Sequence, residues 1–344
     1  MRGALPSHAN RNQRNTLTEG PKLWFDRVSS ALNLPLWPGI CVVGLIPAAA
    51  LWYLGIDIRI ATDFTGVPVV SLPLLVVNVL FLLFASQIIR TRTLQMRDYT
   101  HSLGVEPAPD WAGKLSSMKA IAVVWVATLC ATSLLMDPYI FNLYYSPFQI
   151  ILRLLVTSYL RLIQATFLWS LGYSMYLVYK WGKLPIKLKS FAEDKTLGLN
   201  IYGRASLSFV TLYIAAMLLT FPVFVYESEA VIWSQAIFSL LGLGLFLVPL
   251  FTLRQRLIEA KNERFAWITK RHRRAIESIE SCGDGPIDAA LVNELIAVDH
   301  IKNDVQHISG WPFNAGIFVK LLSVIALPLV TYVLATSLTQ ILDI

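Results

Sequence analysis

The sequence predicts an all-α polytopic transmembrane helical bundle of about seven spans, with a cytoplasmic helical hairpin before the last one. Three observations predict it. Hydrophobic residues make up 55% of the 344-residue chain and charged residues 15%, against about 25% charged in an ordinary soluble domain. The apolar residues gather into runs near the ~20 residues that a helix needs to cross a bilayer core. The basic residues fall between those runs, concentrated in alternate gaps. Strands are disfavoured as spans, because open sheet edges would leave backbone groups unpaired in lipid.

Taken in order, the chain opens with MRGALPSHANRNQRNTLTEG. This stretch is polar and lacks an apolar core, so it does not read as a cleavable signal peptide. Residues 1–36 are therefore expected to form a cytoplasmic tail, disordered at its start. Six spans are expected within residues 37–252: Trp37–Ile56, Pro68–Ile88, Ile121–Met136, Phe148–Tyr179, Ala205–Tyr226 and Val231–Phe251. The third is short, and Met118 is an alternative start. The fourth is long enough to tilt or to run past the bilayer. Residues 253–310 are assigned to the hairpin. Residues 311–344 hold the seventh span, Phe313–Leu338, and an external C-terminus.

Basic residues favour cytoplasmic loops. With the N-terminus inside, every Lys and Arg lies in a cytoplasmic segment except Arg59, Arg153, Arg161 and Lys320. Asp57, Asp63, Asp137, Glu227 and Glu229 then fall outside. The expected location is the cell (inner or plasma) membrane, with the lipid bilayer as the first partner. Trp37, Trp52, Tyr179, Trp181, Tyr226 and Trp233 stand at span ends, where amphipathic rings settle among headgroups. The net charge of +7 does not signal nucleic acid, because the cations punctuate apolar runs instead of forming a patch on a soluble fold.

Gly44 and Ala48 sit four residues apart in the first span. Small residues on one face let another helix approach; packing within the chain is the first expectation and a homo-oligomer contact the second. Pro47, Pro73, Pro222, Pro249 and Pro328 lie in or near the ends of spans and can bend them.

The hairpin begins LRQRLIEAKNERFAWITKRHRRAIESIE. Leu257 or Ile258, Phe265, Ile268, Ile276 and Ile279 make an apolar stripe at helical spacing. The segment Cys282-Gly283-Asp284-Gly285-Pro286 suits a reversal. A second stripe, Leu291, Leu295, Val298, Val305 and Ile308, follows, so two antiparallel helices are expected to cover each other. The first should continue the sixth span. Lys270, Arg271, Arg273 and Arg274 are candidates for lipid headgroup contact, at about 1 kcal/mol each near an anionic surface. The alternative is a solvated basic face that fixes topology.

The run FLVPLFTLRQRLIEAKNER, the paired helices and SGWPFNAGIFVKLLSVIALPLV resemble a group of uncharacterised prokaryotic multi-pass membrane proteins. The matching positions are Pro249, Lys261, Trp311, Pro312, Phe313, Leu327 and Pro328. The stretch AEDKTLGLNIYGRASLSF is similar to that group's Asp-x-x-Gly-Gly-Leu segment but has Leu197 in place of the first glycine. The resemblance covers about the C-terminal 150 residues. It implies the architecture and assigns no activity.

Among candidate functional residues, Arg161 stands out. It lies in the fourth span, fourteen residues past Pro147, and a charge at bilayer depth costs about 2.5–3.5 kcal/mol and usually faces protein or water. Thr157 and Gln164 share its helix face, and the three are candidates for a solute pathway. The opposing reading is a tilted helix whose middle lies nearer an interface. Asn78 and Gln164 are further polar groups in spans. Arg153 and Lys320, near span ends, are expected to snorkel.

His300, Asp304 and His307 share one helix face, but this spacing also arises by chance, and no metal site is assigned. Cys41, Cys130 and Cys282 form no Cys-x-x-Cys pair. Gly242 and Gly244 lie within a span and read as a packing feature. No phosphate loop, nucleophile elbow or His-Glu-x-x-His occurs, so no cofactor is assigned and an enzyme is not expected. The leading expectation is a channel or transporter for a small solute or ion, with homo-oligomerisation through the cytoplasmic helices. The competing one is a membrane scaffold or sensor whose hairpin binds a cytoplasmic protein partner.

Overall fold

A computed structural model describes residues 22–61, 71–104, 110–136, 147–184, 198–224, 229–281 and 289–306. Every described element is α-helical: α1 (Trp24–Ala31), α2 (Leu36–Ala61), α3 (Ser71–Ser102), α4 (Trp111–Leu115), α5 (Met118–Met136), α6 (Pro147–Gly182), α7 (Asn200–Phe224), α8 (Glu229–Ser281) and α9 (Ala289–Gln306). Four of the described segments are long and apolar enough to cross a membrane: Val76–Ser102, Trp111–Cys130, Leu154–Gly182 and Asn200–Leu219. A fifth arises if α1 and the start of α2, which meet at a 104° bend, count as one broken span. The expected seventh span, residues 313–338, lies outside the described residues.

The helix α1 falls within the stretch read as tail. Asp26, in its first turn, accepts the Leu23 N–H at 3.0 Å, satisfying one of the donors that a helix start leaves free. Phe25, Asp26 and Ser29 are buried on one side. The chain then reverses through Asn33, which takes φ +53°; asparagine tolerates this left-handed conformation better than most residues. After the bend, Ser29 lies so close to Gly39 that an added Cβ there would sit 1.7 Å from Ser29 Oγ. Glycine at 39 is what lets α1 fold against the first turn of α2.

The helix α3 packs against α2, α6 and α7. Its buried face runs Leu83, Ile89, Thr93, Met96 and Thr100. Opposite it stand Phe167, Val178 and Trp181 of α6 and Tyr202 and Phe209 of α7. Gly44 of α2 faces Leu80 of α3, with 2.6 Å between an added Cβ and Leu80 Cδ2. That close approach is an intrachain contact. Gly242 of α8 likewise accommodates the ring of Tyr213 on α7, whereas Gly244 has open space.

Outside this core, Val123, Val126, Ile151, Leu155 and Val248 are exposed. A set of large exposed apolar side chains on several helices suits a lipid-facing surface.

The helix α8 is continuous over 53 residues, with Pro249 inside it. Its C-terminal part pairs antiparallel with α9: Lys261 donates to the Gln306 carbonyl at 3.0 Å and Arg271 Nε to Glu294 Oε1 at 2.7 Å. Leu257, Ile268 and Ala275 are buried on α8, and Val298 and Val305 on α9. Of the two alternatives in the first stripe, Leu257 faces inward and Ile258 is exposed.

Candidate functional site

Two regions concentrate polar chemistry. The first is a seam where α1 meets α3 and α6. Arg90 of α3 donates from Nη1 to Asp26 Oδ2 at 3.0 Å, and both side chains are 5% exposed. The same Nη1 lies 3.3 Å from Gln87 Oε1. Trp24 Nε1 of α1 donates to Thr166 Oγ1 of α6 at 2.8 Å. Further along, Thr93 and Ser174 hydroxyls lie 2.8 Å apart, and Thr100 and Tyr202 hydroxyls 2.6 Å apart. Hydroxyls that bond across helices act as interhelical glue where no water competes. Asp26 Oδ1, Arg90 Nε, Ser170 Oγ and Ser206 Oγ are buried without a hydrogen-bond partner.

Arg161, Gln164 and Thr157 lie on α6, beyond this seam. Arg161 Nη1 donates to Gln164 Oε1 at 2.6 Å. Its Nε is buried and unpartnered, and among the described residues it has no ion-pair partner. Thr157 is half-buried. Two bonds set the register of α6 against the chain running antiparallel to it: Trp125 Nε1 donates to the Ser158 carbonyl at 2.8 Å, and Trp169 Nε1 to the Lys114 carbonyl at 3.1 Å. In both bonds the two residue numbers have the same sum, as one antiparallel register requires, so Arg161 stands level with Ala122 in the first turns of α5 and Gln164 level with Lys119.

The second region is a cleft of about 390 Å³ between α8 and α9, lined in part by Trp267, Lys270, Arg271, Arg274, Ser278 and Glu294. Residues 267, 271, 274 and 278 recur at helical spacing and so share one face. Arg271 pairs with Glu294, and its guanidinium stands 5.3 Å from the Trp267 ring centre. Three of the four candidate headgroup cations, Lys270, Arg271 and Arg274, therefore come together. Arg273 is exposed and does not line the cleft. Among the described residues no cluster of three His, Cys, Asp or Glu side chains could hold a metal; His307 lies outside them.

Sequence reasoning missed the Asp26–Arg90 pair. By composition Asp26 falls in a tail and Arg90 in a loop, each accounted for by topology. The available signal was the apolar–acidic pattern Leu23-Trp24-Phe25-Asp26, which marks a helix start and not a tail.

The fold and these sites define an all-α protein with several helices able to cross a membrane. No protein-family model matches the chain, and neither curated proteins nor solved structures give a match.

Proposed function

We propose that the chain is a seven-span protein of the cell membrane, N-terminus inside, that acts as a membrane scaffold or sensor. In this reading α8 and α9 form a cytoplasmic hairpin that engages a partner. The observation that carries it is the unbroken length of α8. Its 53 residues extend about 80 Å at about 1.5 Å per residue, whereas a bilayer core takes only ~20 residues. The rest projects beyond the membrane with α9 packed on it. Basic residues on that projection support a cytoplasmic placement.

The projecting segment is also held to the bundle. Arg256 Nη2 donates to the Lys183 carbonyl at 2.9 Å, at the end of α6. A cation at a helix C-terminus satisfies carbonyls that have no partner within the helix. Events at the hairpin thereby reach α6 through a direct bond.

Lys270 stands eighteen residues past Thr252, about 27 Å along a straight helix. That distance favours a cytoplasmic partner over headgroups of the same bilayer.

Transport is the second reading, and Arg161 is the observation that favours it. Its buried, unpartnered Nε is what a pathway cation would offer to an anion. Against it, the neighbouring seam is packed, with the Thr93–Ser174 and Thr100–Tyr202 hydroxyls paired across helices, and Arg161 is tied to Gln164 on its own helix. The two readings separate in one pair of measurements. A photoreactive residue at Trp267 should give a discrete cytoplasmic adduct in cells, and Arg161→Ala should leave anion and cation flux in proteoliposomes unchanged. Absence of the adduct together with altered flux would move the assignment to transport.

A further inference from the structure

We propose that the cleft between α8 and α9 binds a phosphate-bearing solute, with Glu294 as the internal carboxylate that holds Arg271 in the ligand-free chain. The proposal rests on the reading of the hairpin as the recognition element and names the chemistry it recognises.

The argument starts from the charges. Lys270, Arg271 and Arg274 converge on one cleft, and only Arg271 has an ion-pair partner among the described residues. Among the described residues the one carboxylate lining the cleft is Glu294, already engaged by Arg271, so Lys270 and Arg274 face each other's field with no carboxylate of their own. Like charges gathered this way are unfavourable until an anion joins them. The shape of the donors narrows the anion. Two guanidinium groups offer planar forks that suit tetrahedral oxyanions, and an ammonium adds a point charge. Ser278 adds a hydroxyl: it donates to the Arg274 carbonyl at 2.8 Å in the ligand-free chain, and rotation of the O–H toward the cleft makes it a further donor to an anion. Trp267, 52% exposed, supplies an apolar plate for the non-phosphate part of a ligand. The cleft volume, about 390 Å³, falls in the range of small-molecule sites, roughly 300–1,000 Å³.

Glu294 makes the site an exchange. Its single negative charge already engages Arg271. A phosphate group carries more charge and more acceptor oxygens than one carboxylate, and it reaches Lys270 and Arg274 as well. Binding would therefore draw Arg271 from Glu294 and loosen one of the polar straps described between α8 and α9. That of Lys261 on the Gln306 carbonyl would remain. A ligand that releases one strap and leaves the second shifts α9 about its far end, which gives a sensor its output.

The test uses the full chain in detergent micelles and radiolabelled pyrophosphate in equilibrium dialysis. The expected result is saturable binding of one pyrophosphate per chain. Replacing Lys270 and Arg274 together by Ala should weaken it about tenfold or more, as loss of charge-assisted bonds does. Arg273→Ala should change it by less than about twofold, because that residue points away and exposed charges are screened. Glu294→Gln should tighten it severalfold by removing the internal competitor.

Non-saturable binding, or equal losses from Arg273→Ala and from the double variant, would overturn the proposal in favour of a diffuse basic surface. A second arm identifies the source of the phosphate. Pyrophosphate affinity should be the same in nanodiscs of zwitterionic lipid and in nanodiscs containing phosphatidic acid. Competition in the latter would assign the site to headgroups and end the claim for a solute. If the adduct at Trp267 forms while pyrophosphate fails to bind, the ligand class is wrong and the hairpin reading stands.

Discussion

Asp26 and Arg90 show what a single pair contributes to this molecule. Both are 5% exposed, so both have given up most of their hydration. Such pairs seldom add net stability, but breaking one leaves a buried charge unmatched, at about 3–5 kcal/mol. Asp26→Asn or Arg90→Met alone should therefore destabilise the detergent-solubilised protein by about that amount. The double replacement by apolar residues, Asp26→Leu with Arg90→Met, should recover most of it. Unfolding in mixed micelles measures all three. If the double variant were as unstable as either single one, packing and not charge would be the cause. Neither residue was legible as half of a pair, because periodicity reports which face of a helix is apolar and says nothing about two charges far apart in sequence. Arg161 was legible as an anomaly, since a cation in an apolar run breaks the pattern outright. Its level opposite the first turns of α5 was not, because that register depends on the two indole bonds to Ser158 and Lys114.

At the scale of elements, the apolar runs located the helices well and their ends less well. The apolar run of the third span starts at Ile121, with Met118 as the alternative, and α5 begins at Met118. The apolar run of the second ends at Ile88, yet α3 continues to Ser102. Arg90, Thr93 and Thr100 read as polar loop by composition, but they face neighbouring helices that offer hydrogen-bond partners, so the helix persists. The same holds for α7, which starts at Asn200 and not at Ala205, with Tyr202 bonded to Thr100. Helix packing yields a sharp expectation at Gly242 and Gly244. A Cβ at 242 would lie 2.1 Å from Tyr213 Cε1, and one at 244 meets nothing within 4 Å. Gly242→Ala should therefore destabilise the fold by about 1–3 kcal/mol through overpacking. Gly244→Ala should be neutral or stabilise by up to about 1 kcal/mol through helix propensity. Equal effects in unfolding curves would mean that α7 and α8 do not meet there.

For the whole molecule, the alternation of charged and apolar segments carries the topology. In the proposed seven-span topology it puts the two ends of the chain on opposite sides of the membrane, because basic loops resist translocation. A tag on the N-terminus should be shielded from an impermeant reagent in intact cells, and one on the C-terminus should be labelled. Labelling of both, or of neither, would give an even number of crossings and put the hairpin on the wrong side. This proposed arrangement rests on charge bias, which composition alone supplies. The tertiary contacts between spans depend on side-chain fit, which composition does not encode.

The bond from Arg256 to the end of α6 has a mechanical consequence. From Pro249 to Ser281 the helix is about 48 Å long at about 1.5 Å per residue, and Arg256 grips it only about 10 Å from the proline. Hinge motions of a few degrees at a proline inside a helix are commonplace. A swing of about 5° would carry the tip through about 4 Å while the gripped point moved by less than 1 Å. The rod thus works as an amplifier with a short inner arm: a displacement too small to unpack the bundle becomes a stroke wide enough to open or close a contact at its far end.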